Sequence, residues 1–276
     1  MAAEDFDDDL LETVIARSDV LGSLAEGPRH RRELQDAVDI SKTTCHRIVR
    51  SLDERNLIRR TDRGYELSEL GTAIWTQVDD FERNVRTAYR LQPLYEALES
   101  TDIDLEVELF VDATITRPLP EDPSPPVHRY LELVRDAKTV RTLDRSSFIP
   151  PLYVEEIFEE ALERDGAGIA IYPLSVVKTR YEKYPDIHRE VAETGLDIGY
   201  RVHDDVPIGM SIYDDDHVGL RAYDDETGAL RLFVDTDDPE AVDWAIDVFE
   251  RYYEESDPPS AFEELPDWVP DSEIDV

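Results

Sequence analysis

The chain has 276 residues and carries 66 acidic against 29 basic residues, a formal net charge of −37. With 41% hydrophobic residues it can bury a core, which excludes wholesale disorder, and no apolar run approaches the roughly 20 residues of a membrane-spanning helix. Its acidic start and single cysteine do not fit a signal peptide or a disulfide framework, so we expect a soluble cytoplasmic protein.

The charge is spread along the whole chain, and only four of the basic residues are lysines. A surface rich in carboxylates and poor in lysine is typical of proteins from salt-accumulating archaea. At molar salt the Debye length is about 3 Å, which screens most of the self-repulsion. We therefore expect a halophilic archaeal protein; the alternative is an acidic protein that repels acidic ligands. Taken alone, the charge argues against nucleic acid as a partner.

One segment departs from this charge. Residues 29–63 hold ten basic and six acidic residues, a local net charge of +4 that leaves −41 on the rest of the chain. Helical hydrophobic periodicity covers 7–25 and about 30–38. A third helix, about 42–55, is predicted to begin after Ser41, which is a good N-cap residue. The basic segment therefore coincides with a cluster of three predicted helices.

Two short strands, 57–60 and 64–67, follow the third predicted helix. Helix, helix, turn, helix and basic hairpin form the arrangement of a winged helix-turn-helix domain, here within residues 1–67. In such a domain the third helix enters the major groove of double-stranded DNA, and the hairpin lies near phosphates. The alternative is a small helical domain with an incidentally basic surface. The residues predicted to contact DNA are Lys42, Thr43, Thr44, His46, Arg47, Arg50, Arg59, Arg60 and Arg63.

The apolar face of the third predicted helix includes the cysteine of the chain, Cys45, in register with Ile48, Val49 and Leu52. We expect Cys45 to pack as a small core residue, with redox sensing as the alternative.

The run from Ser41 to Arg60, SKTTCHRIVRSLDERNLIRR, resembles the S-x-x-T-x-x-R-x-(V/L)-x-x-L…(G/N)-L-(I/V)-x-R stretch of archaeal winged-helix transcription regulators. Downstream, the segments 206–210, 212–215 and 237–245 follow in the order found in two-domain regulators of the methanogenesis/filament regulatory protein family. The resemblance implies an N-terminal DNA-binding domain and a C-terminal sensor domain.

A long helix is predicted over 68–92, with Ser68 as its cap and Pro93 ending or kinking it. Apolar residues with heptad-like spacing run along it, which favours a connecting or dimerisation helix within 68–98. The alternative is a helix that packs on its own domain. The residues with this spacing are Ile74, Val78, Phe81, Val85 and Ala88.

From residue 99 to 255 the pattern changes to that of an α/β domain with a mixed sheet. The alternating run 105–111 predicts a strand, and five prolines in 116–128 predict a loop. Residues 256–276 contain seven acidic and no basic residues, and we expect a loosely attached acidic tail. The remaining predictions are helices at 128–136, 152–164, 174–193 (two) and 238–254, and strands near 138–143, 168–172, 198–202, 207–213, 217–223 and 229–234.

The predicted α/β domain contains no phosphate-binding glycine loop, no nucleophile elbow and no paired metal-binding histidines, so we expect neither an enzyme nor a cofactor. The acidic run 214–216 fits a hydrated turn better than a cation site. Because basic residues are rare in this half, several of them with one tyrosine are candidates for binding an anionic small-molecule effector; the alternative is that they pair with surface carboxylates. These candidates are Arg141, Arg145, Tyr172, Lys178 and Arg180.

Together these patterns predict an α+β protein that acts as a DNA-binding transcriptional regulator, a homodimer that senses an effector through its C-terminal domain or uses that domain to dimerise. The alternative is an adaptor that uses its winged helix to bind protein or RNA, without operator binding. A membrane is not expected as a partner.

Overall fold

The computed structural model describes residues 8–266 except 147, 148, 150, 165 and 195–197. The described residues form eleven α-helices, a two-stranded hairpin and a seven-stranded mixed sheet, which confirms the predicted α+β class. The chain divides into two compact units, Met1–Arg86 and Thr87–Val276. The finer predicted division at residues 67, 98 and 255 stays a prediction.

The first unit contains the predicted helices and hairpin, with one difference. The predicted helix 7–25 is two helices, because Arg17 has φ −128° and ψ 21° and interrupts the helical backbone; residue 7 lies outside the described residues. The helical spacing of apolar residues continues across the break at Arg17, so this spacing alone did not predict that there are two helices. The elements are α1 (Asp8–Ile15), α2 (Ser18–Ala25), α3 (Arg31–Ala37), α4 (Lys42–Glu54), β1 (Ile58–Thr61), β2 (Gly64–Leu67) and the start of α5 (Glu69–Arg90).

The core of the first unit joins the inner faces of its helices to the hairpin. Leu21, Leu34, Leu52 and Leu57 are fully buried within it. Burying a leucine side chain stabilises a fold by about 1.5–3 kcal/mol before the entropy cost of ordering it is counted. This shared core fixes α4 and the hairpin relative to each other.

Helix α5 begins where the sequence predicted. The Ser68 hydroxyl accepts a hydrogen bond from the backbone N–H of Gly71 at 2.9 Å, which confirms the predicted cap. The helix ends at Arg90, and Pro93 lies in the first turn of the next helix, α6 (Gln92–Leu98). This position suits proline, because the first turn of a helix does not need its missing N–H.

The second unit is built on the seven-stranded sheet, in the order β3-β9-β8-β7-β4-β5-β6. Strands β4, β5 and β6 pair in parallel, and the other pairs are antiparallel. The strands are β3 (Thr114–Thr116), β4 (Thr139–Leu143), β5 (Ala167–Tyr172), β6 (Ile198–Val202), β7 (Gly209–Tyr213), β8 (His217–Tyr223) and β9 (Leu230–Thr236).

Helices cover both faces of the sheet. One face packs against α6 and α11 (Pro239–Glu255) and carries the largest apolar cluster of the unit. The other face packs against α7 (Pro125–Asp136), α8 (Pro151–Arg164), α9 (Leu174–Lys183) and α10 (Pro185–Thr194). Because successive strand residues point to opposite faces, each strand supplies both layers.

At the start of the second unit one prediction is wrong and one strand was missed. The run 105–111 is not a strand: Val107–Phe110 forms a 3-10 turn, and Leu105 and Phe110 are the buried residues. A strand needs a neighbouring strand for its backbone hydrogen bonds, and the alternation of apolar residues does not show whether such a neighbour is present. The short strand β3 was not predicted, and it pairs with the edge of β9.

The predicted loose attachment of the tail is also wrong for residues 256–266. Asp257 bridges to Val202 of β6, and Leu265 is 6% exposed in a cluster with Tyr172 and Tyr200. The Asp257 bridge and the buried Leu265 therefore attach this part of the acidic segment to the sheet. The remainder of the predicted tail, 267–276, lies outside the described residues.

Candidate functional site

Helix α4 is held in place by its first residues and its apolar face. The Ser41 hydroxyl accepts a hydrogen bond from the Thr44 backbone N–H at 3.1 Å, which confirms the predicted N-cap. Before it, Asp39 adopts a positive φ of 48°, which lets the chain turn sharply between α3 and α4. The apolar residues of α4 face the core, so its polar residues face outward. The buried residues are Cys45, Ile48, Val49 and Leu52.

Cys45 packs as the sequence predicted. Its side chain is 1% exposed, and its Sγ lies 3.5 Å from the carbonyl oxygen of Arg31. Burial raises the pKa of the Cys45 thiol. A buried, protonated thiol is a poor nucleophile, so the packing interpretation is favoured over redox sensing.

The outer face of α4 carries hydrogen-bond donors of two kinds. Lys42, His46 and Arg47 are exposed and form no ion pair with any described residue. Arg50 is also exposed, but its Nε lies 2.8 Å from Glu54 Oε1. Thr43 is exposed as well, and Thr44 is half-buried. This face therefore presents charged donors that an anionic partner can reach directly.

The hairpin adds a second group of arginines. Arg59 and Arg60 are exposed on β1, and Arg63 is exposed in the turn. Arg59 pairs with Glu66 on the neighbouring strand at 2.7 Å, whereas Arg60 and Arg63 form no ion pair with described residues. Gly64 closes the turn with φ 118°, and a Cβ there would lie 2.3 Å from the Arg29 carbonyl oxygen.

The candidate effector residues of the second unit are not all in one place. Arg141 pairs with Asp215 and lies over the ring of Phe249, on the sheet face that packs against α11. Lys178 is exposed on α9. Neither lines the cavity or the surface hollow described below.

A cavity of about 130 Å³ lies between the other sheet face and helices α7 to α9. Three small strand residues, Thr142 of β4 and Gly168 and Ala170 of β5, are among the residues that line it. Leu143 of β4 is buried in the apolar cluster on the opposite face. Small residues of β4 and β5 thus leave room on this face of the sheet.

Tyr172 and Arg180 both line this cavity. Arg180 is 6% exposed; its Nε donates a hydrogen bond to the Tyr200 hydroxyl at 2.9 Å, and its guanidinium carbon lies 5.4 Å from the ring centroid of Tyr172. Burial lowers the pKa of Arg180, but the surrounding phenols outweigh it, so the guanidinium stays charged. Burial and then the charge of Arg180 lower the pKa of the nearby His188 to about 4.

A surface hollow of about 370 Å³ shares Arg180 and Ile149 with the cavity. Arg145 and Lys183 line it, so three basic residues surround the hollow. Arg145 also pairs with Asp225 at 2.8 Å. The structure thus brings Arg145, Arg180 and Tyr172 of the sequence candidates to one connected region.

A buried polar network on the same sheet face was not predicted. Arg221 Nε donates to Asp144 Oδ2 at 2.9 Å, and both side chains are almost fully buried. Tyr223 also donates its hydroxyl hydrogen to Asp144, at 2.8 Å. Burial raises the pKa of Asp144, and the charge of Arg221 opposes that rise. The sequence signal that could have predicted this network is Arg221, a charged residue at a buried position within the apolar run of β8.

The described residues hold neither a metal-binding cluster nor a membrane-spanning helix. The part of the chain that the structure describes holds no group of three or more histidine, cysteine or acidic residues able to bind a metal ion. Asp214 accepts hydrogen bonds from the backbone N–H groups of Lys138 and Thr139, at 2.9 and 2.7 Å, so it fixes a turn. Among the described helices, none has the length and apolar character needed to cross a membrane.

Two family models match the chain. Residues 7–90 match the HVO_A0261 N-terminal domain, and residues 123–255 match the middle domain of the methanogenesis regulatory protein FilR1. No curated protein is similar enough to the chain to count as a match.

Solved structures similar to the chain include TrmBL2, described as an archaeal chromatin protein with a novel mode of DNA binding. It is 15% identical with a TM-score of 0.42, over 91% of this chain and 99% of that chain. NucT from Helicobacter pylori is 14% identical with a TM-score of 0.39, over 52% of this chain and 96% of that chain. The phospholipase D family member Nuc from Salmonella typhimurium is 16% identical with a TM-score of 0.40 and the same coverage. TM-scores this low carry no argument about function.

The two family matches, with the winged-helix arrangement of α2 to β2, define the class of protein: a two-domain regulator of the DNA-binding kind. The predicted resemblance is confirmed, because the chain is similar to a domain of the methanogenesis regulatory protein FilR1 over residues 123–255 and to the HVO_A0261 N-terminal domain over residues 7–90.

Proposed function

We propose that the protein regulates transcription by reading the major groove of DNA with α4, while its second unit senses a small-molecule effector. The observation that carries the proposal is the outer face of α4. It presents Lys42, His46 and Arg47 without an ion pair among the described residues, in a chain whose net charge is −37. Basic residues are scarce in so acidic a chain, and Lys42 and Arg47 lie together on one exposed helix face, where an anionic partner could contact them directly.

The geometry of the first unit suits this role. The major groove is about 12 Å wide and admits one α-helix. Arginine can donate two hydrogen bonds to a guanine edge, and the exposed Arg47 and Thr43 lie on the outer face of α4. Arg60 and Arg63 of the hairpin would contact backbone phosphates beside the groove.

The acidic composition supports the further proposal that the protein works in molar salt. Under those conditions most of the affinity from counterion release is lost. Binding would then depend on hydrogen bonds from arginine and on shape, and the acidic remainder would disfavour DNA at every other surface only on close approach. Only the surface formed by α4 and the hairpin would approach the duplex.

We further propose that the protein is a homodimer through α5. Ile74 and Val78, the first residues of the heptad-like series, pack against the core of the first unit. This supports the alternative that the first half of α5 packs on its own domain. Phe81 and Val85 are 54% and 50% exposed. Helix-turn-helix proteins commonly bind two half-sites as dimers, about 10 base pairs apart or a multiple of that. A second copy of α5 would cover these two side chains.

The dimer is tested by sedimentation in molar KCl. Phe81→Glu combined with Val85→Glu is expected to give monomers, because two charges would be buried in the interface. Thr72→Glu, on an exposed position of the same helix, is the control and should leave the dimer intact. An unaltered chain that sediments as a monomer would refute this part of the proposal.

The DNA-binding role is tested in two steps. Genome-wide immunoprecipitation of the tagged protein identifies candidate operators, and their affinity for the purified full chain is then measured at molar KCl. We expect tighter binding to these sequences than to shuffled ones. Equal affinity for both, or recovery of protein or RNA without DNA, would favour the adaptor alternative. The proposal assigns no chemical reaction to the chain.

A further inference from the structure

The cavity and the hollow of the second unit meet at Arg180. The inner cavity, about 130 Å³, and the outer hollow, about 370 Å³, share this side chain and Ile149. The buried guanidinium of Arg180 therefore borders both spaces. This arrangement gives the region an inner end, an outer end and one charged group between them.

The inner end is mostly apolar. Val134, Val154, Ile157 and Phe158 line it, and Lys138 also borders it. Glu160 also lines it, with its carboxylate 3.5 Å from the guanidinium of Arg135. A cavity of roughly 150 Å³ with leucine, isoleucine and phenylalanine walls is large enough for a benzene molecule. The inner end thus accommodates an apolar group of about the size of one aromatic ring.

The junction is positively charged and held rigid. The hydrogen bond from Arg180 to Tyr200 and the packing over the Tyr172 ring fix the guanidinium before any ligand arrives. A fixed guanidinium binds a carboxylate without an additional ordering cost. Burial raises the pKa of Tyr172, so this phenol stays neutral and does not compete as an anion.

The outer end attracts anions. Arg145 and Lys183 line the hollow beside Arg180, although the chain as a whole has a net charge of −37. Serine and threonine hydroxyls, from Ser175 and Thr179, are also among its lining groups. Charge and hydrogen-bond donors thus favour a ligand whose negative end faces outward.

We propose that this region binds a small organic acid, with its apolar body in the inner cavity and its carboxylate on Arg180. The inference deepens the proposed sensor function and rests on it. It also explains why the cation is buried. Exposed charges are screened at molar salt, whereas a charge buried beside an apolar wall is screened much less.

The test is calorimetric titration of the full chain in molar KCl with three compounds. Benzoate carries both the ring and the carboxylate, benzamide keeps the shape without the charge, and inorganic phosphate is an anion without an apolar body. We expect benzoate to bind at millimolar concentration or below, and the other two at least tenfold more weakly. Benzamide or phosphate binding as tightly as benzoate, or no binding of benzoate, would overturn the proposal.

Two variants locate the site. Arg180→Met should weaken benzoate binding at least tenfold, and the matched control Arg189→Met, on the exposed face of α10, should not change it. Ala170→Leu should fill the inner cavity and also abolish benzoate binding. Circular dichroism checks that each variant folds. If Arg180→Met does not fold, Ala170→Leu and the three-compound comparison still test the proposed site. Unchanged benzoate binding by Ala170→Leu would refute the placement of the apolar body in the inner cavity.

Operator affinity, measured in the same samples, separates this inference from the proposed function. A chain that binds its operator but no organic acid overturns the ligand inference alone. A chain that binds benzoate without any change in operator affinity supports the ligand site and overturns the sensor role. Benzoate binding by a chain with no specific DNA affinity supports the site and refutes the proposed function.

Discussion

The two units of the chain use arginine in opposite ways. In the first unit Arg47, Arg60 and Arg63 are exposed on a helix face and a hairpin. In the second unit Arg180 and Arg221 are 6% and 0% exposed beneath the helices that cover the sheet. An exposed cation is available to a large partner but is screened by salt, whereas a buried cation acts at short range and at high salt. This difference fits the proposals that the first unit contacts DNA and that the second binds a small molecule.

The largest effect is expected at the buried ion pair. Asp144→Asn leaves the charge of Arg221 buried without its carboxylate, which should lower the free energy of unfolding by about 3–5 kcal/mol. The matched control is Asp215→Asn, which breaks the pair of Arg141 with a half-exposed carboxylate and should cost less than about 1 kcal/mol. Urea unfolding in molar KCl measures both. Equal losses would contradict the distinction between a fully buried ion pair and one whose carboxylate is exposed.

A pH effect of up to about 3 kcal/mol is expected from His188. Its pKa is about 4 in the folded chain, through burial and the charge of Arg180, against an ordinary value of about 6.5 in the unfolded chain. Between about pH 6.5 and pH 4 the His188 imidazole is protonated in the unfolded chain and neutral in the folded chain. The free energy of unfolding should therefore fall as the pH drops toward 4.

The measurement compares urea unfolding of the unaltered chain and of His188→Phe across this pH range. Subtracting the two curves removes the titration of the many carboxylates. We expect the stability of the unaltered chain to fall further than that of the variant. Parallel curves would show that His188 is not held neutral by the fold.

On the DNA-binding side, Arg47→Ala should weaken specific operator binding by about 1–3 kcal/mol, because it removes donors to a base edge. Arg50→Ala should have a smaller effect, because Arg50 must first leave Glu54 to contact DNA. Fluorescence anisotropy at molar KCl measures both, with Arg189→Ala as the control. Unchanged affinity in both α4 variants would refute the groove assignment.

The smallest effect is expected at the start of α4. Ser41→Ala removes the side-chain cap and should destabilise the first unit by about 1 kcal/mol. Ser175→Ala, at an exposed position of α9, is the control and should be neutral. Thermal unfolding gives both values. A loss no larger than that of the control would show that the cap adds nothing to the stability of α4.

The recognition helix could be predicted because its signals are local. Ser41, four apolar residues at helical spacing and Asn56 with its φ of 58° all lie within one short segment. The strand predicted at 105–111 failed because alternation describes a pattern within a segment, while a strand also needs a neighbour. The same limit explains why β3, whose partner β9 is more than a hundred residues away, was missed.

The cavity of the second unit could not be predicted as a whole. Gly168 and Ala170 fit a strand pattern, and only the sheet shows that they face the same space as Thr142. The partners Asp144 and Arg221 are 77 residues apart in the chain. The scarcity of basic residues in the second half of the chain nevertheless pointed to Arg145 and Arg180 as candidate anion-binding residues.

Site-specific cross-linking tests the central claim, that the outer face of α4 lies in the DNA groove. The cysteine of the chain, Cys45, is buried, so an exposed cysteine introduced by Thr43→Cys can be labelled selectively with a photoreactive group. Thr72→Cys on α5 provides an exposed control in the same unit. We predict cross-links from position 43 to bases of the operator at molar KCl, and none from position 72. Cross-links from position 72 alone, or none from either position on DNA that the protein binds, would contradict the account.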